Sequence, residues 1–227
     1  MKEKDLIIFY KIFANLYGAI LDKDAFCIIT KYFPNFTYYE FLVSLKKTSK
    51  KHDHTYSVRK WDKDSYVIRS NINNKETRQL FFWQSDKPFY TTETFEEFKQ
   101  YVFYMNINKH TDYILKKISK MCVKYFDYYN GDFARSLAFA VAEDTQIMVL
   151  RHVTPLDAIH GLIIENGINL SKDDQEIYLK LYTDLRAVTR TWEDRGHTTN
   201  EINELYYNRL KNEEYMFSNP SLQVASL

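Results

Sequence analysis

Apolar residues recur at helical spacing along most of this chain, and this periodicity is the feature that most restricts its fold. Residues 4–20 and 22–33 each fit an amphipathic helix with one apolar face. Thr37 and Glu40 then have the spacing of a capping box, which begins a third helix that runs to about Lys50. Tyr38, Phe41, Leu42 and Leu45 are predicted to form the buried face of this third helix. The chain therefore opens with three predicted helices.

The helical period is interrupted between these helices and the middle of the chain. Tyr56–Trp61 and Tyr66–Ser70 are short runs of β-branched and aromatic residues, and Asp62–Asp64 between them is a turn signal. Leu80–Gln84 fits a further strand. Three helices followed by a hairpin is the order of a winged-helix module. We expect a mainly α fold with a small β-hairpin or three-stranded element, and a winged-helix-like module over residues 1–90.

The remainder of the chain is predicted to be an α-helical bundle. Pro88 and a Thr-rich stretch after it mark the boundary. The expected helices cover residues 94–106, 109–128, 132–151, 155–165, 172–190 and 200–215. We therefore assign 91–216 to an α-helical domain and 217–227 to a flexible tail.

The composition indicates a soluble protein of the cytoplasm. With 45% hydrophobic and 27% charged residues, the chain can bury a core and is not disordered. It has no apolar run of the roughly 18 residues that a membrane helix needs, and its start does not resemble a signal peptide. Cys27 and Cys122 lie in apolar helical patterns and are predicted to be buried thiols.

Positive charge is concentrated in the first 90 residues, which hold 16 Lys and Arg against 10 Asp and Glu, whereas the rest hold 15 against 20. Clustered cations are what phosphate binding requires. In a winged helix, the third helix enters the major groove and the wing touches phosphates. The predicted nucleic-acid-binding residues are Tyr39, Lys46, Lys47, Lys50, Lys51, Arg59 and Lys60. The alternative is a solvated helix end with cations near its C-terminal dipole.

No catalytic residue, metal site or cofactor is predicted. The chain has no GxxxxGK[ST], GxGxxG, HExxH or GxSxG motif, and five glycines offer few of the backbone approaches that cofactor loops need. His52, Asp53 and His54 are a weak metal pattern because further ligands at fitting spacing are missing. His152 and His160 are better explained as surface histidines than as acid or base groups.

The segment Thr189–Glu201 is too polar for ordinary core packing, although it lies between two predicted helices. It contains two arginines, a tryptophan, a histidine and one glycine within thirteen residues. We expect a structural junction or an interaction surface, with the junction favoured. The residues are Arg190, Trp192, Glu193, Arg195, Gly196, His197, Asn200 and Glu201. In the junction, Arg190, Glu193 and Arg195 are expected to form a charge-assisted network, and Thr198 or Thr199 is expected to cap the final helix with Glu201.

The same segment resembles bacterial SEC-C motif proteins, in which a Thr-Arg-x-Trp-Glu-x-x-Gly-x-Thr-x-Asn-Glu pattern precedes a zinc-binding tail. The start of the chain, Ala14–Ile20 and the helix to Phe33, is also similar to that family. The zinc tail cannot be carried over, because no Cys or His follows Glu201. The resemblance therefore implies kinship of the helical body without the metal.

Together these features predict a non-enzymatic bacterial regulatory protein whose basic N-terminal module contacts DNA or RNA. The alternative is a protein–protein interaction adaptor or inhibitor that does not contact nucleic acid. Aromatic-rich surfaces and the segment around Trp192 favour the second class, since Trp, Tyr and Arg dominate interface hot spots.

Overall fold

The computed structural model describes residues 1–48, 53–61, 63–103 and 108–218. The helices of these residues are α1 (Glu3–Tyr17), α2 (Asp22–Tyr32), α3 (Tyr38–Thr48), α4 (Asn74–Gln84), α5 (Phe95–Lys99), α6 (Lys109–Cys122), α7 (Gly131–Leu150), α8 (Pro155–Asn166), α9 (Lys172–Val188) and α10 (Thr199–Ser218). The strands are β1 (Ala19–Leu21), β2 (Tyr56–Trp61) and β3 (Asp64–Arg69). The prediction of a mainly α fold with a small three-stranded element is confirmed.

The three strands form one antiparallel sheet in the order β1-β3-β2. In the register, Ile20 pairs with Val67, and Val67 pairs with Val58. Along the chain these elements follow the order α1-β1-α2-α3-β2-β3. The predicted hairpin is confirmed, but the third strand was placed wrongly. It is β1, whereas Leu80–Gln84 belongs to α4.

Both faces of the sheet are covered, because side chains along each strand alternate between them. Ile20, Val58 and Val67 lie on the face that packs against α1 and the helices beside it. Tyr66 and Ile68 lie on the opposite face. That second face is covered by α4 and by Trp192 from the C-terminal half of the chain. The sheet is thus enclosed between two layers.

The core around α1 is dense in aromatic rings and extends past the boundary expected at residue 90. The Phe9 ring stacks on Phe95 at 4.6 Å between centroids, and Phe98 and Tyr101 are buried in the same cluster. The Asn15 amide also donates hydrogen bonds to the carbonyls of Tyr101 and Val102 at 3.2 and 2.6 Å. The N-terminal module therefore includes α5 and the turn after it.

Helices α6 to α9 form the second core, which is the predicted bundle. Apolar side chains from all four helices meet in it, with Tyr178 and Tyr182 fully buried at its centre. The Tyr178 hydroxyl lies 3.1 Å from that of Thr145, and the Tyr182 hydroxyl donates to the Val153 carbonyl at 2.6 Å. Burial raises the pKa of Tyr182 to about 12.

The last helix, α10, packs on the body near its start. Ile202 is buried, and the Tyr206 hydroxyl donates to the Asp86 carboxylate at 2.9 Å. Leu205, Tyr207 and Leu210 are exposed. Residues 219–227, most of the predicted tail, lie outside the described residues. No helix within those residues is long and apolar enough to cross a membrane.

The two cysteines differ in their surroundings. Cys122 is buried in the bundle core, as predicted, and burial raises the pKa of its thiol to about 12. Cys27 is exposed on α2, so the prediction of two buried thiols was wrong for this residue. The buried face of α2 is formed instead by Ala25, Ile28 and Ile29.

Candidate functional site

Helix α3 begins at the predicted capping box. The Thr37 hydroxyl accepts the Glu40 backbone N–H at 3.3 Å, and the Glu40 carboxylate accepts the Thr37 N–H at 2.9 Å. These bonds satisfy backbone donors that the first turn of a helix leaves free. Phe41 and Leu45 then fix the inner face of the helix in the N-terminal core.

The outer face of α3 combines basic, aromatic and aliphatic side chains. Tyr39 is 77% exposed, and Lys46 and Lys47 follow on the exposed side of the last two turns. Leu42 was predicted to be buried with Phe41, but it is 37% exposed, and Val43 is 38% exposed. The buried stripe of α3 is therefore narrower than its sequence suggests, and two aliphatic side chains remain on the surface.

The strand residues of the predicted basic cluster lie apart from this face. The Arg59 guanidinium donates to the Asn74 side chain at 3.2 Å, on the side of the sheet that α4 covers. Lys60 is exposed near the end of β2. Lys50 and Lys51 lie outside the described residues. Lys46 and Lys47 thus lie on the exposed side of α3 together with Tyr39, whereas Arg59 lies on the side of the sheet that contacts α4.

The segment between α9 and α10 folds into a compact turn that is held by its own backbone. Thr191 N–H donates to the His197 carbonyl at 3.1 Å, and Gly196 N–H donates to the Thr191 carbonyl at 2.9 Å. The Thr191 hydroxyl also donates to Asp194 at 2.9 Å. Arg190 and Thr198 pair as an isolated antiparallel bridge at its base. We call residues 189–198 the junction turn.

Trp192 connects the junction turn to the N-terminal module. Its indole N–H donates to the Asn15 carbonyl at 2.8 Å, and only 4% of the residue is exposed. The Gln84 amide donates to both the Trp192 and the Tyr17 carbonyls, at 2.6 and 2.8 Å. Trp192 therefore connects the end of α1, the end of α4 and the junction turn, and it is not a surface anchor.

Arg190 makes a bidentate ion pair with Glu201, with N–O distances of 2.6 and 3.0 Å. Its guanidinium also stacks on the Tyr90 ring at 3.5 Å from the centroid. Burial alone would raise the pKa of Glu201, but hydrogen bonds from His197, Arg190 and the Thr198 backbone lower it to about 2. This is a strong, charge-assisted contact.

Glu193 connects the turn to the bundle and to the residues after α4. Its carboxylate pairs with His152 and lies 3.7 Å from the Lys87 ammonium and 3.6 Å from the Arg186 guanidinium. Burial would raise the pKa of Glu193, but these neighbours, His152 foremost, lower it. Lys87 also pairs with Asp194 at 3.0 Å.

The remaining predicted junction residues differ in their contacts and exposure; they are Arg195, Gly196, His197 and Asn200. The Arg195 guanidinium donates to the Lys87 carbonyl at 2.6 Å and lies over the Phe89 ring. Gly196 has a φ of 81°, and a Cβ there would lie 2.6 Å from Leu16 Cγ. His197 packs edge-on against Tyr90. Asn200 is exposed in the first turn of α10.

Two expectations about this segment can be compared with the contacts. Thr198 caps α10 and exchanges hydrogen bonds with Glu201 at 3.0 and 3.2 Å, as expected. The expected network among Arg190, Glu193 and Arg195 does not form. Arg190 instead pairs with Glu201 at the end of the same segment, whereas Glu193 and Arg195 reach partners in other parts of the chain, which local sequence cannot specify.

Within the described residues, no group of three or more His, Cys, Asp or Glu side chains could hold a metal ion. His52, from the weak metal pattern, lies outside those residues. Asp53 instead accepts the Thr55 N–H at 2.7 Å and pairs with Lys11 at 3.4 Å. His160 is exposed on α8.

Comparison with protein-family models, curated proteins and solved structures gives no match. The resemblance to SEC-C motif proteins therefore stays a prediction from the sequence.

Proposed function

We propose that this protein is a non-enzymatic nucleic-acid-binding regulator whose N-terminal module contacts DNA or RNA through the outer face of α3. The observation that carries the proposal is the order α-β-α-α-β-β with strand order β1-β3-β2. In helix-turn-helix proteins of this kind, the last helix of the trio lies in the major groove. In this chain that helix is α3, and its outer face is exposed.

The side chains on that face suit the contacts of a groove-bound helix. Lys46 and Lys47 supply phosphate contacts at the C-terminal end of α3. Tyr39, at the other end, can hydrogen-bond a phosphate or stack on a base. Leu42 and Val43 between them offer apolar contacts of the kind that recognise a thymine methyl group.

The overall charge distribution also supports binding of nucleic acid by the N-terminal module. Residues 1–90 hold six more basic than acidic side chains, whereas residues 91–227 hold five more acidic than basic. Such asymmetry directs a polyanion toward the N-terminal module and away from the bundle.

The test compares the wild type with the double variant Lys46→Glu/Lys47→Glu. Fluorescence anisotropy with a labelled DNA duplex and a labelled single-stranded RNA is measured between roughly 50 and 200 mM salt. The slope of log K against log salt is negative, and each lost phosphate contact reduces its magnitude by about 1. For the double variant we expect the magnitude of the slope to fall by about 2, with weaker binding at every salt concentration.

The matched control is Lys116→Glu/Lys117→Glu, which makes the same charge change on α6 of the bundle. Lys116 pairs only with its neighbour Asp112 within the described residues. We expect this variant to bind like the wild type. Equal losses in the two variants, or no measurable affinity of the wild type at low salt, would refute the proposed interface.

A protein–protein adaptor is the second candidate, and the exposure of Leu42 and Val43 favours it. Exposed aliphatic side chains beside an aromatic one are typical of interfaces. The variant Leu42→Lys/Val43→Lys separates the two functions. Added cations maintain or strengthen nucleic-acid binding but remove an apolar protein contact. Loss of a partner captured from bacterial lysate, without wild-type affinity for nucleic acid, would establish the adaptor instead.

We also propose kinship with SEC-C proteins and a cytoplasmic location. They rest on the pattern at Thr189–Glu201 and on the composition of the chain.

A further inference from the structure

A cavity of about 150 Å³ lies where α4 of the N-terminal module meets the C-terminal end of α7 in the bundle. A cavity of about this volume in an apolar protein core binds one benzene molecule. The space is therefore sufficient for a single aromatic ring. It lies on the α4 side of the sheet, apart from the outer face of α3.

The inner wall of the cavity is apolar and largely buried. Ile72, Leu80 and Trp192 line it and are at most 5% exposed. Trp83, which is half-buried, and Leu150 complete this wall. Concave apolar walls with aromatic side chains and a few polar groups are typical of small-molecule sites. An aromatic ring is a suitable occupant because it can pack against the indole side chains.

The charged groups at the rim indicate the sign of the ligand. Glu76 accepts the Asn73 N–H at 2.8 Å and so is engaged in the cap of α4. Glu193 pairs with His152. Arg151 is exposed, and its side chain makes no hydrogen bond or ion pair with the part of the chain that the structure describes. Arg151 is thus a cation at the rim that has no carboxylate partner among the described residues, whereas both carboxylates already accept a hydrogen bond or form an ion pair.

The backbone holds Arg151 at this rim. It is the C-cap of α7, and its N–H donates to the Ile147 carbonyl at 3.1 Å. The next residue, His152, has a φ of 59°, a left-handed conformation that is uncommon outside glycine. The T-shaped contact of His152 with Trp83, at 5.1 Å between centroids, and its pairing with Glu193 keep this turn in place.

We propose that the cavity binds a small aromatic carboxylate, with the ring against the apolar wall and the carboxylate on the Arg151 guanidinium. Arg forms short, bidentate hydrogen bonds with carboxylates. This proposal is independent of nucleic-acid binding at α3, since none of the lining residues belongs to α3.

Phenylacetate is the probe, with phenylacetamide as the neutral analogue and 2-phenylethylamine as the cationic one. The full-length protein is titrated with each, and the indole N–H signals of Trp83 and Trp192 are followed by NMR. Both residues line the cavity. We expect phenylacetate to shift both signals with a Kd on the order of 1 mM, which suits a ligand of this size. The amide should bind about tenfold more weakly, and the amine should not bind.

Two variants and a control locate the contacts. Arg151→Gln should weaken phenylacetate about tenfold and leave the amide unchanged, whereas Trp83→Ala should abolish binding of both. Lys116→Gln, on the far helix α6, should bind like the wild type. The absence of shifts at several millimolar phenylacetate, equal binding of all three probes, or unchanged affinity in Arg151→Gln would overturn the proposal.

Discussion

Trp192 is the residue through which the two halves of the chain depend most directly on each other. Its ring lies against Gly18, where an added Cβ would be only 2.8 Å from Trp192 Cδ2. Its indole N–H also donates a hydrogen bond to the Asn15 carbonyl near the end of α1. An indole has both the apolar area and the donor that this position requires, and a smaller or purely apolar side chain would leave a void or an unpaired carbonyl.

We therefore expect Trp192→Ala to lower the free energy of unfolding by about 3–5 kcal/mol, the range for removing a large aromatic side chain from a core. Denaturant titration followed by far-UV circular dichroism measures this change. Tyr207→Ala is the control, because Tyr207 is 66% exposed on α10 and its loss should change stability by less than about 0.5 kcal/mol. Equal stability of the two variants would contradict this assignment for Trp192.

At the scale of the elements, helix ends were predicted from the sequence more reliably than strands. The cap of α3 depends on Thr37 and Glu40, which are three positions apart, and it was predicted. Strand β1 was missed because it has three residues and exists only through pairing with β3. Helix α4 was predicted in part as a strand from its apolar, aromatic run, although Asn73 and Glu76 form a capping box that could have identified it.

Two glycines at positive φ differ in their surroundings, so replacing each by alanine distinguishes the energy of backbone strain from that of a steric clash. Gly167 ends α8 with a φ of 66°, and a Cβ there would have nothing within 4 Å. Gly196 has a similar φ, but its Cβ would collide with Leu16 and Tyr17. We expect Gly167→Ala to cost about 1–2 kcal/mol from strain alone. Gly196→Ala should lower the free energy of unfolding, measured by thermal denaturation, clearly more than Gly167→Ala does. An equal loss in the two variants would show that the junction turn can shift to accommodate the added methyl group.

For the whole molecule, the sites depend on contacts between residues that are distant in sequence. His152 was expected to be a surface histidine, but it pairs with Glu193 of the junction turn. The cavity likewise combines Trp83, Arg151 and Trp192 from three separate segments. Composition and periodicity predicted the two modules, but they contain no information on which side chains meet between them.

The Glu201 carboxylate makes the stability of the junction between α9 and α10 dependent on pH. The pKa of Glu201 falls from 4.5 to about 2 on folding, so the unfolded chain binds its proton more tightly. The stability from its hydrogen bonds with His197, Arg190 and the Thr198 backbone is therefore fully present above about pH 4.5 and is lost as the pH falls toward 2. We expect Glu201→Gln to be less stable than the wild type at pH 7.

The stability difference between the wild type and Glu201→Gln should shrink as the pH is lowered through that range, measured by urea denaturation at each pH. Glu204→Gln is the control. It removes an exposed carboxylate from the next turn of α10, one that makes no ion pair within the described residues. This variant should follow the wild-type curve. If the curves of Glu201→Gln and the wild type ran parallel down to acid pH, the ion pair between Arg190 and Glu201 would contribute nothing to holding α10 on the junction turn.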